Sequence, residues 1–248
     1  MVNVKGKWAL VTGANRGVGY RIAKFMAQNG CNLILHSRSL EHTAAVLKEV
    51  QAMGVEAYDI AAELSNPVEV ENMIKEIEKK GKPVDILFND AAVQIAYRTD
   101  YYKTPVEDYE KSFYINTIAP MMLCYAFIPK MIERGWGRVI NTTSGIRNEP
   151  EQAGYSASKA ALDKVTNDLA GKLDGTDVCI NLTDPGWCRT DLGGPNAPND
   201  PDSVIPGICV GAFIDDKMSG RNLGAQGFVG MTLEAAVEKA KSYTQLFK

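Results

Sequence analysis

The chain has 248 residues, 45% hydrophobic and 23% charged, the balance of a globular protein with room for one large α/β domain or two small ones. Its net charge of -3 and lack of a long basic run leave no electrostatic footprint for nucleic acid or an anionic membrane. Cys31, Cys124, Cys179, Cys188 and Cys209 form no Cys-x-x-Cys pair, so reduced thiols in a cytoplasm are the simplest expectation, and two histidines, His36 and His42, are too few for a His-based triad or zinc site. No apolar run reaches membrane-spanning length, and Lys5-Gly6-Lys7 leads straight into a strand pattern, with no signal peptide.

The first strand is Trp8 to Thr12, a short apolar run that ends at Gly13. A helix follows from Gly17 to Gln28, stopped by Asn29-Gly30. Strand two is Asn32 to His36. Ser39 can cap a helix that runs to about Met53, and Val55 to Ile60 is strand three. Ser65-Asn66-Pro67 starts the next helix, Gly81 ends it, and Val84 to Asn89 is strand four. Thr104-Pro105-Val106-Glu107 has capping-box spacing and opens a long helical stretch to Gly135, with kinks expected at Pro120 and Pro129. Strand five is Arg138 to Thr142, a helix runs from Tyr155 to about Leu173, and strand six is Val178 to Thr183. The Pro-rich stretch from Gly193 to about Pro206 reads as a loop. A short helix near Val204 to Asp215, a strand near Gln226 to Val229 and a helix from Leu233 to the end complete the expectation. Strands alternating with helices predict one doubly wound, mainly parallel Rossmann-type sheet with helices on both faces. With no repeat and no linker, residues 1–248 read as a single domain.

Three constellations carry chemistry. In Thr12-Gly13-Ala14-Asn15-Arg16-Gly17-Val18-Gly19, glycines lie between a strand and a helix. They permit a tight turn and let backbone N–H groups and a helix N-terminus approach a dinucleotide pyrophosphate. At the end of strand two, an acidic residue would take the ribose 2′-hydroxyl of NAD, but this chain has Ser37-Arg38, with Arg16 in the glycine loop. Two guanidinium groups suit a 2′-phosphate and favour NADP(H); the alternative is two solvent-facing arginines. Asn141-Thr142-Thr143-Ser144 ends strand five and faces the ligand crevice, where Ser144 could hydrogen-bond a substrate oxygen.

Tyr155-Ser156-Ala157-Ser158-Lys159 opens the helix that runs to about Leu173, eleven positions after Ser144. Residues i and i+4 share a helix face, so Tyr155 and Lys159 sit together. A phenol titrates near pH 10 when unperturbed, and an ammonium beside it favours the phenolate. The pair is a candidate general acid/base, the alternative being a surface Tyr and Lys.

In order and spacing, the glycine motif, the Asp85-Ile86-Leu87-Phe88-Asn89 strand, Asn116, Ser144, the Tyr155–Lys159 pair and Asp184-Pro185-Gly186-Trp187 resemble the short-chain dehydrogenase/reductase family, from about Lys7 to Asp191. The resemblance implies that Tyr155 exchanges a proton with a carbonyl or alcohol oxygen. Lys159 lowers the tyrosine pKa and binds the nicotinamide ribose, and Ser144 orients the substrate oxygen. Asn116 sits at a helix irregularity and holds a water in the proton relay, the alternative being a buried helix amide. It also implies that Pro185, Gly186 and Thr190 border the nicotinamide, Asn89 and Ala91 lie along the cofactor, and Glu63-Leu64 lie near the adenine. Four features depart from the family pattern: Asn89-Asp90-Ala91-Ala92 in place of Asn-Asn-Ala-Gly, Glu63 in place of Asp, a Ser-to-Tyr loop about two residues short, and no Asp-Gly-Gly ending.

Trp187 to Asn196 looks like the corresponding stretch of carbonyl-reductase-like members, with a substrate loop or lid over about 191–218. Gln94, Ile95, Tyr97, Arg147, Gln152, Trp187 and Leu192 are the pocket candidates. The expected activity is NADP(H)-dependent hydride transfer at a carbonyl or secondary alcohol of a small molecule. Carbonyl reductase leads hydroxysteroid dehydrogenase and 3-oxoacyl reductase, and the alternative of another class is a non-catalytic cofactor-binding sensor. The resemblance implies a homodimer or homotetramer that pairs the long helices over 105–134 and 155–173.

Overall fold

The computed structural model describes residues 1–246. Trp8–Thr12 (β1) lies inside the sheet, paired with Asn32–Ser37 (β2) on one side and Ile86–Asn89 (β4) on the other. Ala57–Ala61 (β3) lies outside β2. Gly137–Thr142 (β5), Val178–Asp184 (β6) and Asn222–Gly224 (β7) extend the opposite side, giving the order β3-β2-β1-β4-β5-β6-β7 with every pairing parallel. The chain grows outward from β1 to β3, then returns to the far side of β1 with β4. This reversal opens a crevice at the carboxyl ends of β1 and β4, where such sheets bind ligands. The doubly wound fold is the one that the strand–helix alternation predicts.

Helices cover both faces: Gly17–Gln28 (α1), Leu40–Ala52 (α2), Pro67–Lys79 (α3), Val106–Phe113 (α4), Ala119–Glu133 (α5), Ala153–Ala170 (α6) and Leu233–Lys241 (α7). Successive strand residues point to opposite faces. Ala9, Val11, Leu33 and Leu35 therefore pack with Ile22 and Met26 of α1, and Trp8, Leu10 and Ile34 with Val70 and Met73 of α3 and Phe127 of α5. Both faces are covered, which is why the strands read as continuous apolar runs.

Several helix ends differ from expectation. Ser39 precedes α2 but makes no side-chain cap, and the Thr104 hydroxyl donates to the Tyr101 carbonyl at 2.8 Å instead of closing a capping box on α4. Asn66 does cap α3, accepting from the Val68 N–H at 3.1 Å, with Pro67 in the first turn. The irregularity in the long helix is a π turn over Tyr114–Ile118, and α5 continues through Pro129 without a break. Together, α4, the π turn and α5 form a 28-residue helix, Val106–Glu133, long and apolar enough to cross a membrane. Its apolar side is core: Leu123, Cys124, Phe127 and Met131 are buried against the sheet.

The C-terminal third departs most. The strand expected at Gln226 to Val229 is a 3₁₀ turn, Ala225–Phe228, and β7 lies earlier. The helix expected near Val204 to Asp215 is two 3₁₀ turns, Pro201–Val204 and Gly207–Ala212. Pro206 has no N–H to continue a helix, and a Cβ on Gly207 would lie 2.6 Å from the Ala225 carbonyl oxygen, so this segment is pressed flat against β7. Ile208, Cys209, Val210 and Phe213 are core residues, so the second half of the loop expected to be a lid is interior. The last helix ends at Lys241, short of the chain end; residues 247–248 lie outside the described residues.

Arg221 is fully buried before β7 and donates to both carboxylate oxygens of Asp216, to the Met218 carbonyl and to the Tyr243 carbonyl. Arg221→Met leaves these acceptors without their donor. Breaking a buried pair costs about 3–5 kcal/mol, so thermal denaturation should show the melting temperature lowered by roughly 6–20 °C.

Candidate active site

The glycine loop is built by close contacts. Gly13 and Gly17 have φ of +70° and +58°, and a Cβ on Gly19 would fall 2.3 Å from the Gly13 carbonyl oxygen. Thr12 ties the loop to the next strand: its hydroxyl donates to the Phe88 carbonyl and accepts the N–H groups of Asp90 and Ala91 at 3.0 and 3.1 Å. His36, at the end of β2, lies beneath the loop. Its Nδ1 accepts the Gly13 N–H at 3.4 Å, its Nε2 meets the Ala62 carbonyl at 3.1 Å, and burial lowers its pKa to about 4, which keeps it neutral. Arg16 precedes α1 without capping it, and the first turn carries no acidic side chain, so N–H donors face the crevice. A glycine cradle at an uncapped helix start fits a dinucleotide pyrophosphate. Asn15 and Val18 are half-buried within it.

The groups expected at the adenine end lie in mixed surroundings. Arg38 is exposed and makes no ion pair among the described residues, whereas Arg16 reaches across to Asp191 at 2.7 Å. The Ser37 hydroxyl is taken by the Ser39 carbonyl at 2.6 Å. Glu63 accepts both the N–H and the hydroxyl of Ser65 at 3.0 Å, and Leu64 is buried in the core.

At the carboxyl ends of β5 and β6, Ser144 faces Tyr155 on the first turn of α6, near enough to lower the pKa of the phenol. Lys159, one turn on, is buried, and its Nζ donates to the Thr142 carbonyl at 2.7 Å. The structure thus gathers Ser144, Tyr155 and Lys159 beside the glycine loop. Asn116 lies in the π turn as expected. Oδ1 accepts the Val93 N–H, and Nδ2 donates to the Val93 carbonyl and Ser158 Oγ, all at 2.9–3.0 Å. It clamps the strand-four loop onto α6, with one acceptor position of Oδ1 left over.

The electrostatics differ from the simple Tyr–Lys picture. Burial raises the Tyr155 pKa; the Ser144 side chain lowers it, and Asp184 and Asp90 raise it. Lys159 does not bring the phenol down here, because its Nζ is turned to Thr142 and lies 6.0 Å from the ring centroid. Burial lowers the Lys159 pKa to about 8, against the opposing pull of Asp90, Asp163 and Asp184. These carboxylates are the functional surroundings that the sequence reading missed. Asp163 continues the Tyr155–Lys159 face of α6 by one more i+4 step, and Asp90 and Asp184 stand at the carboxyl ends of β4 and β6. Both placements are signals that spacing alone could have supplied.

Among the other expected residues, Asn89 is buried and donates to Asn141 Oδ1 at 2.8 Å, and Ala91 packs against Gly13. Thr190 lies against Gly17, its Cγ2 3.6 Å from where a Cβ would stand. The Pro185 carbonyl accepts from Gln226 at 2.8 Å, and Gly186, with φ of +72°, donates its N–H to Asp184. On the substrate side, Trp187 and Leu192 are 59% and 45% exposed, and Gln94, Tyr97 and Arg147 are exposed. Gln152 is buried and bonded to the Ile95 carbonyl at 3.0 Å, so it supports the pocket from behind instead of lining it.

A parallel sheet with a glycine cradle at its switch point and a Ser–Tyr–Lys cluster beside it can hold a dinucleotide against a proton-transferring group. The sequence model described as short chain dehydrogenase matches residues 7–200. The chain belongs to the short-chain dehydrogenase family. It is 31% identical to a short chain dehydrogenase of Pseudocercospora fijiensis over 78% of this chain, spanning 63% of that relative's length. It is 33% identical to a 3-oxoacyl-[acyl-carrier-protein] reductase of Synechocystis, over 77% of this chain and 78% of that one. A crystal structure of a 3-oxoacyl (acyl-carrier-protein) reductase from Agrobacterium tumefaciens C58 with NADP bound superposes with a TM-score of 0.74 at 29% identity, covering 95% and 87% of the two chains.

Proposed function

We propose that this chain is an NADP(H)-dependent oxidoreductase of carbonyl and secondary alcohol groups on small molecules. The convergence of Ser144, Tyr155 and the buried Lys159 beside the glycine loop carries the reading. The dinucleotide, when bound, supplies or accepts the hydride at the carbonyl carbon. Gly13, Gly17, Gly19 and the start of α1 hold its phosphates, and Arg38 pairs with a 2′-phosphate. Tyr155 gives the proton to the substrate oxygen, and Ser144 fixes that oxygen beside the phenol. The raised phenol pKa keeps Tyr155 protonated at neutral pH, which suits a proton donor in the reductive direction. Lys159 holds positive charge in the same pocket.

The bound NADP of the Agrobacterium reductase supports the cofactor choice. The exposed Trp187 and Leu192, with Arg147 and Gln94 at the edge, suit a mid-sized ketone or aldehyde, with carbonyl reduction leading. The reductases of Synechocystis and Agrobacterium favour a 3-oxoacyl thioester as the second substrate class. The five buried, unpaired thiols suit a reducing cytoplasm, and exposed Val106, Tyr109, Ile118 and Tyr125 on α4, the π turn and α5 suit a homo-oligomer.

NADPH and NADH consumption against ketones, aldehydes, keto-steroids and acyl thioesters tests the reading. A clear NADPH preference with turnover is expected, and tight binding without turnover across every class would favour a sensor instead. Arg38→Asp removes the charge-assisted contact, worth about 1.5–3 kcal/mol. It should raise KM for NADPH roughly 10- to 150-fold, with little change for NADH.

A further inference from the structure

Where the family pattern has asparagine, this chain places a carboxylate, Asp90, between the two halves of the site. Its Oδ1 accepts the Thr142 hydroxyl at 2.9 Å, and its Oδ2 lies against Gly19, 3.1 Å from where a Cβ would stand, with the Gly19 N–H lowering the carboxyl's pKa. Thr142 in turn accepts Lys159 through its carbonyl, so a single residue links Asp90 to the ammonium. Gly19 is the third residue of α1, and its N–H is one of the donors a helix start leaves without an internal partner. Asp90 therefore stands at the start of α1, held there from the end of β4. A carboxylate there is favourable to the helix dipole, but it places negative charge at the N–H cluster that the dinucleotide phosphates need.

We propose that Asp90 is a positioning residue that sets the pH response of dinucleotide binding: ionised, it opposes the phosphates at the α1 N-terminus, so the protein takes up a proton there when the dinucleotide binds. The inference rests on the dinucleotide reading of the glycine loop. The titratable and charged groups facing Asp90 are Lys159 and Tyr155 from α6 and Cys209 from the Gly207–Ala212 turn. Burial raises the Asp90 carboxyl to about 6, against lowering by the Thr142 hydrogen bond, the Lys159 charge and the Gly19 N–H. An anion bound nearby raises it further. Affinity is therefore fullest below pH about 6 and declines as the pH rises through the window between the free and bound values.

NADPH fluorescence titrations from pH 5.5 to 8.5 on the wild type and Asp90→Asn test this. The 2′-phosphate and Lys159 titrate in both proteins, so the difference between the two curves isolates Asp90. Asn keeps an acceptor for Gly19 and Thr142 but carries no charge. At pH 8 the variant is expected to bind NADPH about three- to tenfold more tightly than the wild type, the gap closing toward pH 5.5. Calorimetry of NADPH binding at pH 7, in buffers of different ionisation enthalpy, should show greater net proton uptake by the wild type than by Asp90→Asn. Thr142→Val, which keeps the carbonyl for Lys159, should move the affinity transition to higher pH. Parallel curves for wild type and Asp90→Asn, or equal proton uptake by the two, would overturn the proposal while leaving the cofactor reading intact. No NADPH binding at any pH would overturn both.

Discussion

Tyr155→Phe is expected to lower turnover by about 10²–10⁴-fold, with NADPH affinity held within about twofold of wild type. The ring fills the same buried site on the first turn of α6, so only the hydroxyl facing Ser144 is lost. Steady-state rates on the best substrate, set beside an NADPH fluorescence titration, separate the two effects. Equal loss of binding and turnover would mean that Tyr155 holds the fold or the cofactor and is not the proton donor.

Gly19→Ala should act in the opposite manner. Its Cβ would lie 2.3 Å from the Gly13 carbonyl oxygen and 3.1 Å from Asp90, with no flexible side-chain end to yield on the Gly13 side. The loop must move, at a cost of about 1–3 kcal/mol typical of overpacking. The N–H groups of α1 are displaced with it, and the NADPH dissociation constant should rise roughly ten- to a hundredfold. Titration of the purified variant checks this. Unchanged affinity would place the dinucleotide elsewhere than the glycine cradle.

The first two thirds of the fold were legible because most strands are buried, largely apolar runs and glycines punctuate the chain, Gly13 after β1 and Gly30, Gly54 and Gly81 after α1, α2 and α3. Ser144, Tyr155 and Lys159 were legible for a related reason: two lie one helical turn apart, and the third ends a strand. The last third was not. Val204 to Phe228 mixes apolar residues with Pro206, Gly207, Gly211 and Gly227, and whether such a segment coils, pairs or turns depends on the surface it meets. Phe228 became a core residue inside a turn, not a strand residue. Thr104 and Ser39 show the same limit on a smaller scale, since a capping residue type does not dictate which acceptor its hydroxyl chooses. The charge environment was least legible. Asp90, Asp163 and Asp184 lie on three different elements and meet at Lys159 only once the sheet is formed. That convergence, with burial, sets the Lys159 and Tyr155 pKa values, and neither follows from the i+4 pairing by itself.

Hydride transfer at a carbonyl carbon is the central claim, and isotope transfer tests it most directly. The enzyme would be incubated with NADPH carrying deuterium at the transferable nicotinamide position and with the best carbonyl substrate, and the product alcohol examined by mass spectrometry. The account predicts one deuterium on the carbinol carbon for each NADPH consumed, and no labelled alcohol from Tyr155→Phe on the same timescale. Alcohol formed without the label, or labelled alcohol formed at the wild-type rate by Tyr155→Phe, would contradict it.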